Sequence, residues 1–226
     1  MSALFTWALK RGHANENPVI ATEEPKAADA RERVLTADEL KAVWKVCGDD
    51  DYGRIVRLLI LTACRREEIG GLKWSEIDLE QGTITIPAER SKNHREHRLT
   101  LPAIAIDILK AIPQRLDREY VFGSRGDGFV TWTFGKRALL KASGTSGWRL
   151  HDLRHTISTN MHELGIEPHV VGAVLNHASG HKAGVAGRYN HAQYRQPMKT
   201  ALAMWAAHVA SVVSGEPSNL VALRRA

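Results

Sequence analysis

The chain has 226 residues, 43% hydrophobic and 25% charged, a balance ordinary for a globular protein with one good core and part of a second domain. Its net charge of +6 and pI near 9.5 favour a polyanionic partner, although so small a surplus decides little until its position is known. No run of about 18 apolar residues occurs, which excludes a helical membrane span, and the opening MSALFTWALKRGHANENP lacks the apolar core and cleavage site of a secretory signal. The two cysteines, Cys47 and Cys64, lie on apolar helix faces without a CxxC pair and read as buried free thiols of a cytoplasmic protein.

Residues 4–11 read as the last turns of a helix ended by Gly12, and the polar stretch 13–30, with Pro18 and Pro25, reads as a linker. Thr36-Ala-Asp-Glu39 is a capping box that starts a helix with Leu40, Val43, Trp44 and Cys47 on one face. Tyr52–Thr62 is a strongly apolar helix, followed by a short one over 65–72 that carries Arg65 and Glu68 on one side. Residues 74–79 and 83–87 form a hairpin around Gln81-Gly82, and 94–101 give a third strand. Pro102 suits the first turn of a helix running to Ile112. Further helices are expected over 131–142, from His151 to a C′ glycine at Gly165, over 168–176, and over 198–213, where Leu202, Trp205 and Val209 share one side. The tail beyond Gly215 is expected to be mobile. The class is α+β, mainly α, with one small antiparallel sheet.

Five separated blocks carry the candidate chemistry: Thr62-Ala-Cys-Arg65-Arg-Glu-Glu68, Lys92 in a basic hairpin, His151-Asp-Leu-Arg154-His-Thr156, Leu175-Asn-His177, and Arg188-Tyr189. Attack on a phosphodiester gathers negative charge on the non-bridging oxygens, and preorganised cations stabilise it. Arginine suits this best, since its planar fork grips two oxygens and stays charged. Arg65 and Arg154 would form such a clamp, although a lone arginine is more often a surface ion-pair partner, as Arg65 can be for Glu68. Tyr189 would attack as a phenol, which needs help to lose its proton. His151, three residues before Arg154 on one helix face, can act as base or hold a phosphate oxygen, and His177 can donate to the phosphate. Lys92 can protonate the leaving oxygen. Arg95 and Arg98 suit phosphate positioning on DNA, and Glu68 and Asp152 read as supporting residues.

This ordered set resembles the tyrosine recombinase (phage integrase) family. The resemblance covers roughly Arg31 to Ala207, is most specific from His151 to Trp205, and over Val185–Trp205 is closest to integrases of phages and genomic islands. It implies the family's catalytic-domain fold over 31–215, with 1–30 a remnant of the preceding core-binding domain and its linker and 216–226 a flexible tail. It implies Arg65, Lys92, His151, Arg154 and His177 as the phosphate site and Tyr189 as nucleophile. The reaction implied is integration or excision of a mobile element through a 3′-phosphotyrosyl bond, without metal, ATP or other cofactor. The partner implied is double-stranded DNA attachment sites, bound by a homotetramer that is monomeric when free.

Three positions depart from the family pattern. Ala63 and Asn176 stand where glycine is usual, and Tyr194 is a rival to Tyr189. Other readings remain open at this level: a type IB topoisomerase-like enzyme, a DNA-binding relic without catalysis, and a metal enzyme built on His151, His155, His177 and His181 with Asp152 or Glu163. A chain lacking most of a core-binding domain is expected to bind DNA weakly, salt-sensitively and with little sequence selectivity.

Overall fold

At the centre of the fold lies a helix buried on all but the stripe of Asp51, Arg54 and Arg57. In the computed structural model, which describes residues 2–20, 22, 32–114, 118–124, 126–177 and 194–216, helix α3 (Asp51–Thr62) buries nine of its twelve residues, among them Ile55, Val56, Leu58, Leu59, Ile60 and Leu61. The Asp50 side chain caps its start, accepting from the backbone of Tyr52 and Gly53 at 2.9 and 3.1 Å.

The chain separates into two compact units, residues 1–31 and 32–226. In the first, α1 (Ser2–Lys10) ends at Gly12, whose φ of 71° is the left-handed stop expected of that glycine. The Trp7 ring stacks on His13.

In the second unit, α2 (Ala37–Val46) begins with the expected capping box: Glu39 N–H donates to the Thr36 hydroxyl, and Thr36 N–H donates to the Glu39 carboxylate. The short α4 (Arg66–Gly70) follows α3. Strands β1 (Ile77–Asp78), β2 (Thr83–Ile86) and β3 (His97–Thr100) form an antiparallel sheet in sequential order. Each is shorter than the sequence suggests. Trp74–Glu76 is a 3₁₀ turn, Pro87 has no N–H to offer a ladder, and His94 is left-handed with φ 52°. Ile84 faces Leu99 and Ile86 faces His97, so one buried face holds three aliphatic residues and a histidine.

Helices α5 (Ala103–Lys110), α6 (Trp132–Ser143), α7 (Leu150–Glu163), α8 (Pro168–Val174) and α9 (Arg195–Ser214) complete the described elements. Gly165, with φ 78°, stops α7 as expected. Helix α9 starts three residues before the expected Met198, from a left-handed Tyr194. Its apolar side, Met198, Leu202, Trp205 and Val209, is buried in the core of its own unit.

The C-terminal end of α3 is where the elements meet. A helix leaves its last carbonyls without intrahelical donors. Here the Leu58 carbonyl accepts from the Thr62 hydroxyl at 2.7 Å, Leu59 from Ala63 N–H at 3.0 Å, and Ile60 from the α9 indole of Trp205 at 2.6 Å. The Ala63 carbonyl accepts from Arg154 of α7.

Candidate active site

Ala63 holds the conformation that makes this junction. Its φ of 54° is left-handed, the region glycine enters most easily, and it turns the chain sharply out of α3 into Cys64 and Arg65. The backbone that the resemblance associates with glycine is thus kept, at a small steric cost.

Arg154 projects from the second turn of α7 into this junction and is only 6% exposed. One guanidinium nitrogen donates to the Ala63 carbonyl, and the other to the Leu175 carbonyl at 2.7 Å. Both acceptors are helix C-caps, where the macrodipole favours a cation. Burial, and after it the charge of Arg65, lower the Arg154 pKa to about 10, so the guanidinium is still cationic at neutral pH.

Arg65 stands beside it at the head of α4. The Glu68 carboxylate accepts from Arg65 Nη1 at 2.8 Å and from the Arg65 backbone N–H at 2.7 Å. The second terminal nitrogen of Arg65 donates to the Asn176 carbonyl at 3.3 Å. The Glu68 side chain is 2% exposed against 21% for Arg65, so a buried acid holds a guanidinium that reaches solvent. This pair is the bland alternative weighed from sequence, and here it is also what orients the arginine.

His151 lies in the first turn of α7 and His177 just beyond α8, both exposed to solvent. Their pKa values are lowered by partial burial first and by Arg154 next, and Arg65 acts on both in the same direction. The charge of His151 also acts on His177. Two arginines and two histidines from three segments therefore share one electrostatic neighbourhood, which repels protons and attracts anions. His155, one turn on from His151 with ring centroids 5.1 Å apart, belongs to the same neighbourhood. Sequence reading considered it only as a metal ligand.

Asp152 is buried and accepts from the Arg149 N–H at 2.8 Å, so it caps α7. Lys92 and Arg95 are exposed on the β2–β3 connection. Arg98 alternates with the buried His97 and Leu99 and donates to Gln81 at 3.1 Å. Tyr194 packs at the edge of the core, its ring 5.1 Å from that of His169. Tyr189, Arg188 and His181 lie outside the described residues.

Beneath the arginines, Cys64, Glu68 and His97 are all buried, with donor atoms within 4.8 Å of one another. Among the described residues this is the group with metal-ligand spacing; the histidine set read from sequence includes His181, which lies outside them. The Glu68 carboxylate is already committed to Arg65 through both oxygens, and two guanidiniums lie close by, so the surroundings favour an anion rather than a metal cation.

The sequence matches the model of the phage integrase family over residues 33–196. The chain belongs to the phage integrase family. Among curated members, prophage integrase IntZ of Escherichia coli K12 is 32% identical over 96% of this chain and 55% of its own length. The integrase of Shigella phage Sf6 is 29% identical over 90% of this chain and 55% of its own length. The chain thus spans about half the length of these relatives. Among solved structures, the integrase of mycobacterium phage Brujita aligns over 89% of this chain and 68% of its own, with a TM-score of 0.62 at 21% identity, a likeness of fold. A lambda integrase dimer bound to a COC′ core site aligns over 79% of this chain and 69% of its own, with a TM-score of 0.58 at 25% identity. The mainly helical fold with one small sheet is that of the family's catalytic domain, and no described helix is long and apolar enough to cross a membrane.

Proposed function

We propose that this chain is the catalytic portion of a site-specific DNA recombinase that cuts and rejoins DNA through a tyrosine. The observation that carries the reading is the convergence of Arg65 and Arg154 with His151 and His177, with Arg154 fixed by two carbonyls before any ligand arrives. Such preorganisation suits charge that develops only in the transition state. Residues 31–215 are assigned as the catalytic domain and 1–30 as the end of a core-binding domain with its linker; 217–226 lie outside the described residues.

In this mechanism Arg65 and Arg154 hold the non-bridging oxygens of the scissile phosphate, and His177 donates to one of them. The Tyr189 phenol oxygen attacks phosphorus and passes its proton to His151, whose lowered pKa keeps it neutral and able to accept at pH 7. The bond from phosphorus to the 5′ oxygen breaks, and Lys92 gives that oxygen a proton. The 3′-phosphotyrosyl bond conserves the energy of the phosphodiester, so a 5′-hydroxyl of a partner strand reverses the step without ATP or metal. A lambda integrase has been solved as a tetramer bound to a Holliday junction. By analogy the assembly here is a homotetramer on double-stranded DNA, serving integration or excision of a mobile element.

The test is covalent attachment to supercoiled plasmid, trapped with detergent in the presence of chelator. Attachment by the parent chain and by Tyr194→Phe, with none by Tyr189→Phe, is expected. Loss only in Tyr194→Phe overturns the nucleophile. Absence throughout, in this chain and in one extended by the family's N-terminal domain, leaves a DNA-binding relic.

A further inference from the structure

The β2–β3 connection carries the proposed proton donor. Lys92 is exposed there on an irregular stretch, and such loops wander unless something holds them. The stem is held by Arg90, whose guanidinium donates to both Glu76 oxygens at 2.8 Å and to the Glu68 carbonyl at 3.1 Å. The tip is held by a closed ring of polar side chains. Ser91 Oγ donates to Asn93 Oδ1 at 2.6 Å, and Asn176 Nδ2 donates to Ser91 Oγ at 3.1 Å and to Asn93 Oδ1 at 3.3 Å. Asn93 Nδ2 donates in return to the Asn176 backbone carbonyl at 2.7 Å and to its Oδ1 at 3.2 Å. That same carbonyl accepts from Arg65. Ser91, although polar, is 2% exposed.

Two features make this more than loop packing. Lys92 sits between the two loop members of the ring, so its backbone is fixed on both sides, while His177 follows the third member directly. And Asn176 is left-handed, with φ 48°, at a position where glycine is usual. Glycine would adopt that backbone more easily but has no amide to reach Ser91 and Asn93. Asparagine is among the few side-chain-bearing residues that tolerate the conformation.

We propose that Ser91, Asn93 and Asn176 are positioning residues for the leaving-group step, a latch that sets Lys92 at a fixed distance from His177 and Arg65. This rests on the assignment of Lys92 as the donor of the leaving-group proton. Misplacement of a catalytic group by about 1 Å can cost on the order of 100-fold in rate, which sets the scale expected when the latch is opened.

Two measurements test it. Hydrogen exchange over residues 88–96 should quicken at least tenfold in Asn176→Gly, with exchange in α3 unchanged. Equal exchange in parent and variant overturns the latch whether or not this chain cleaves DNA. The second uses a duplex carrying the strongest attachment site mapped on plasmid, made with either the natural 5′ oxygen or a bridging 5′ sulfur at the scissile phosphate. Sulfur leaves as a thiolate and needs no proton. Asn93→Ala and Asn176→Gly should attach 10- to 100-fold more slowly than parent on the oxygen substrate and within threefold of parent on the sulfur one, as should Lys92→Ala. If Lys92→Ala recovers on sulfur and the latch variants do not, the latch has no part in proton delivery. If Lys92→Ala fails equally on both substrates, the donor assignment falls and takes the latch's role with it.

Discussion

The Arg154 guanidinium donates to the Leu175 carbonyl at 2.7 Å and so ties the middle of α7 to the end of α8, two residues before His177. One side chain therefore sets where an imidazole stands and, on the proposed mechanism, where a phosphate is gripped. The same guanidinium satisfies Ala63 at the end of α3. Lysine in its place carries the charge but has no planar fork to meet two carbonyls held by separate helices. Arg154→Lys should lose about 1–3 kcal/mol of stability, since a buried acceptor goes unsatisfied, which for a domain this size lowers the melting temperature by roughly 2–12 °C. Covalent attachment to plasmid should fall at least ~100-fold. Calorimetry and the trapping assay read the two losses separately, and an unchanged melting temperature would remove the structural half of this account.

His97 makes folding sensitive to acid. It is 4% exposed on the inner face of the sheet. Burial pushes its pKa down to about 4, with Arg154 and Arg65 adding to the effect and Glu68 and the Ala173 backbone opposing it. Free histidine titrates near 6.5, so between about 6.5 and 4 the unfolded chain binds a proton that the folded chain refuses. Stability is therefore full above that window and falls with pH through it, by up to ~1.4 kcal/mol per unit from this residue. His151 and His177, lowered in the same direction, add to the slope. His97→Leu, apolar like its neighbours Ile86 and Leu99, should flatten the dependence of the urea midpoint on pH between 6 and 4.5. An equally steep decline in the variant would place the acid sensitivity elsewhere.

Trp205 joins α9 to α3 by its Nε1 bond to the Ile60 carbonyl, at 2.6 Å, and is fully buried. Trp205→Phe keeps most of the packing and removes the donor, for an expected loss of about 1–3 kcal/mol. Trp205→Ala adds a cavity and should cost about 3–5 kcal/mol. Denaturant unfolding gives both numbers. Losses below about 0.5 kcal/mol in Trp205→Phe would mean the carbonyl finds another donor.

What could be read from sequence was what depends on near neighbours. The Thr36 capping box, the stops at Gly12 and Gly165 and the apolar run of α3 are local, and each appears where the residues place it. The strands were read too long because apolar alternation says nothing about where a 3₁₀ turn or a left-handed His94 ends pairing. In the candidate site, residue types and order named Arg65, His151, Arg154 and His177 but not what holds them. The ring of Ser91, Asn93 and Asn176 spans more than eighty residues of chain, and three small polar side chains carry no periodic or spacing signal. Asn176 was legible only as an anomaly, a residue with a side chain where none is usual. His97 was passed over because, on a short basic strand, a buried histidine looks the same as an exposed one.

The bond from Arg154 to the end of α3 bears on how such sequences can decay. A descendant that no longer cuts DNA but still needs its fold has reason to keep this arginine, since removing it strips a buried carbonyl at the heart of the domain. Its survival in a homologue would then speak for an intact scaffold and say little about activity. Residues whose side chains serve chemistry alone, with no carbonyl or carboxylate depending on them, would be the first to drift and the better markers of a living enzyme.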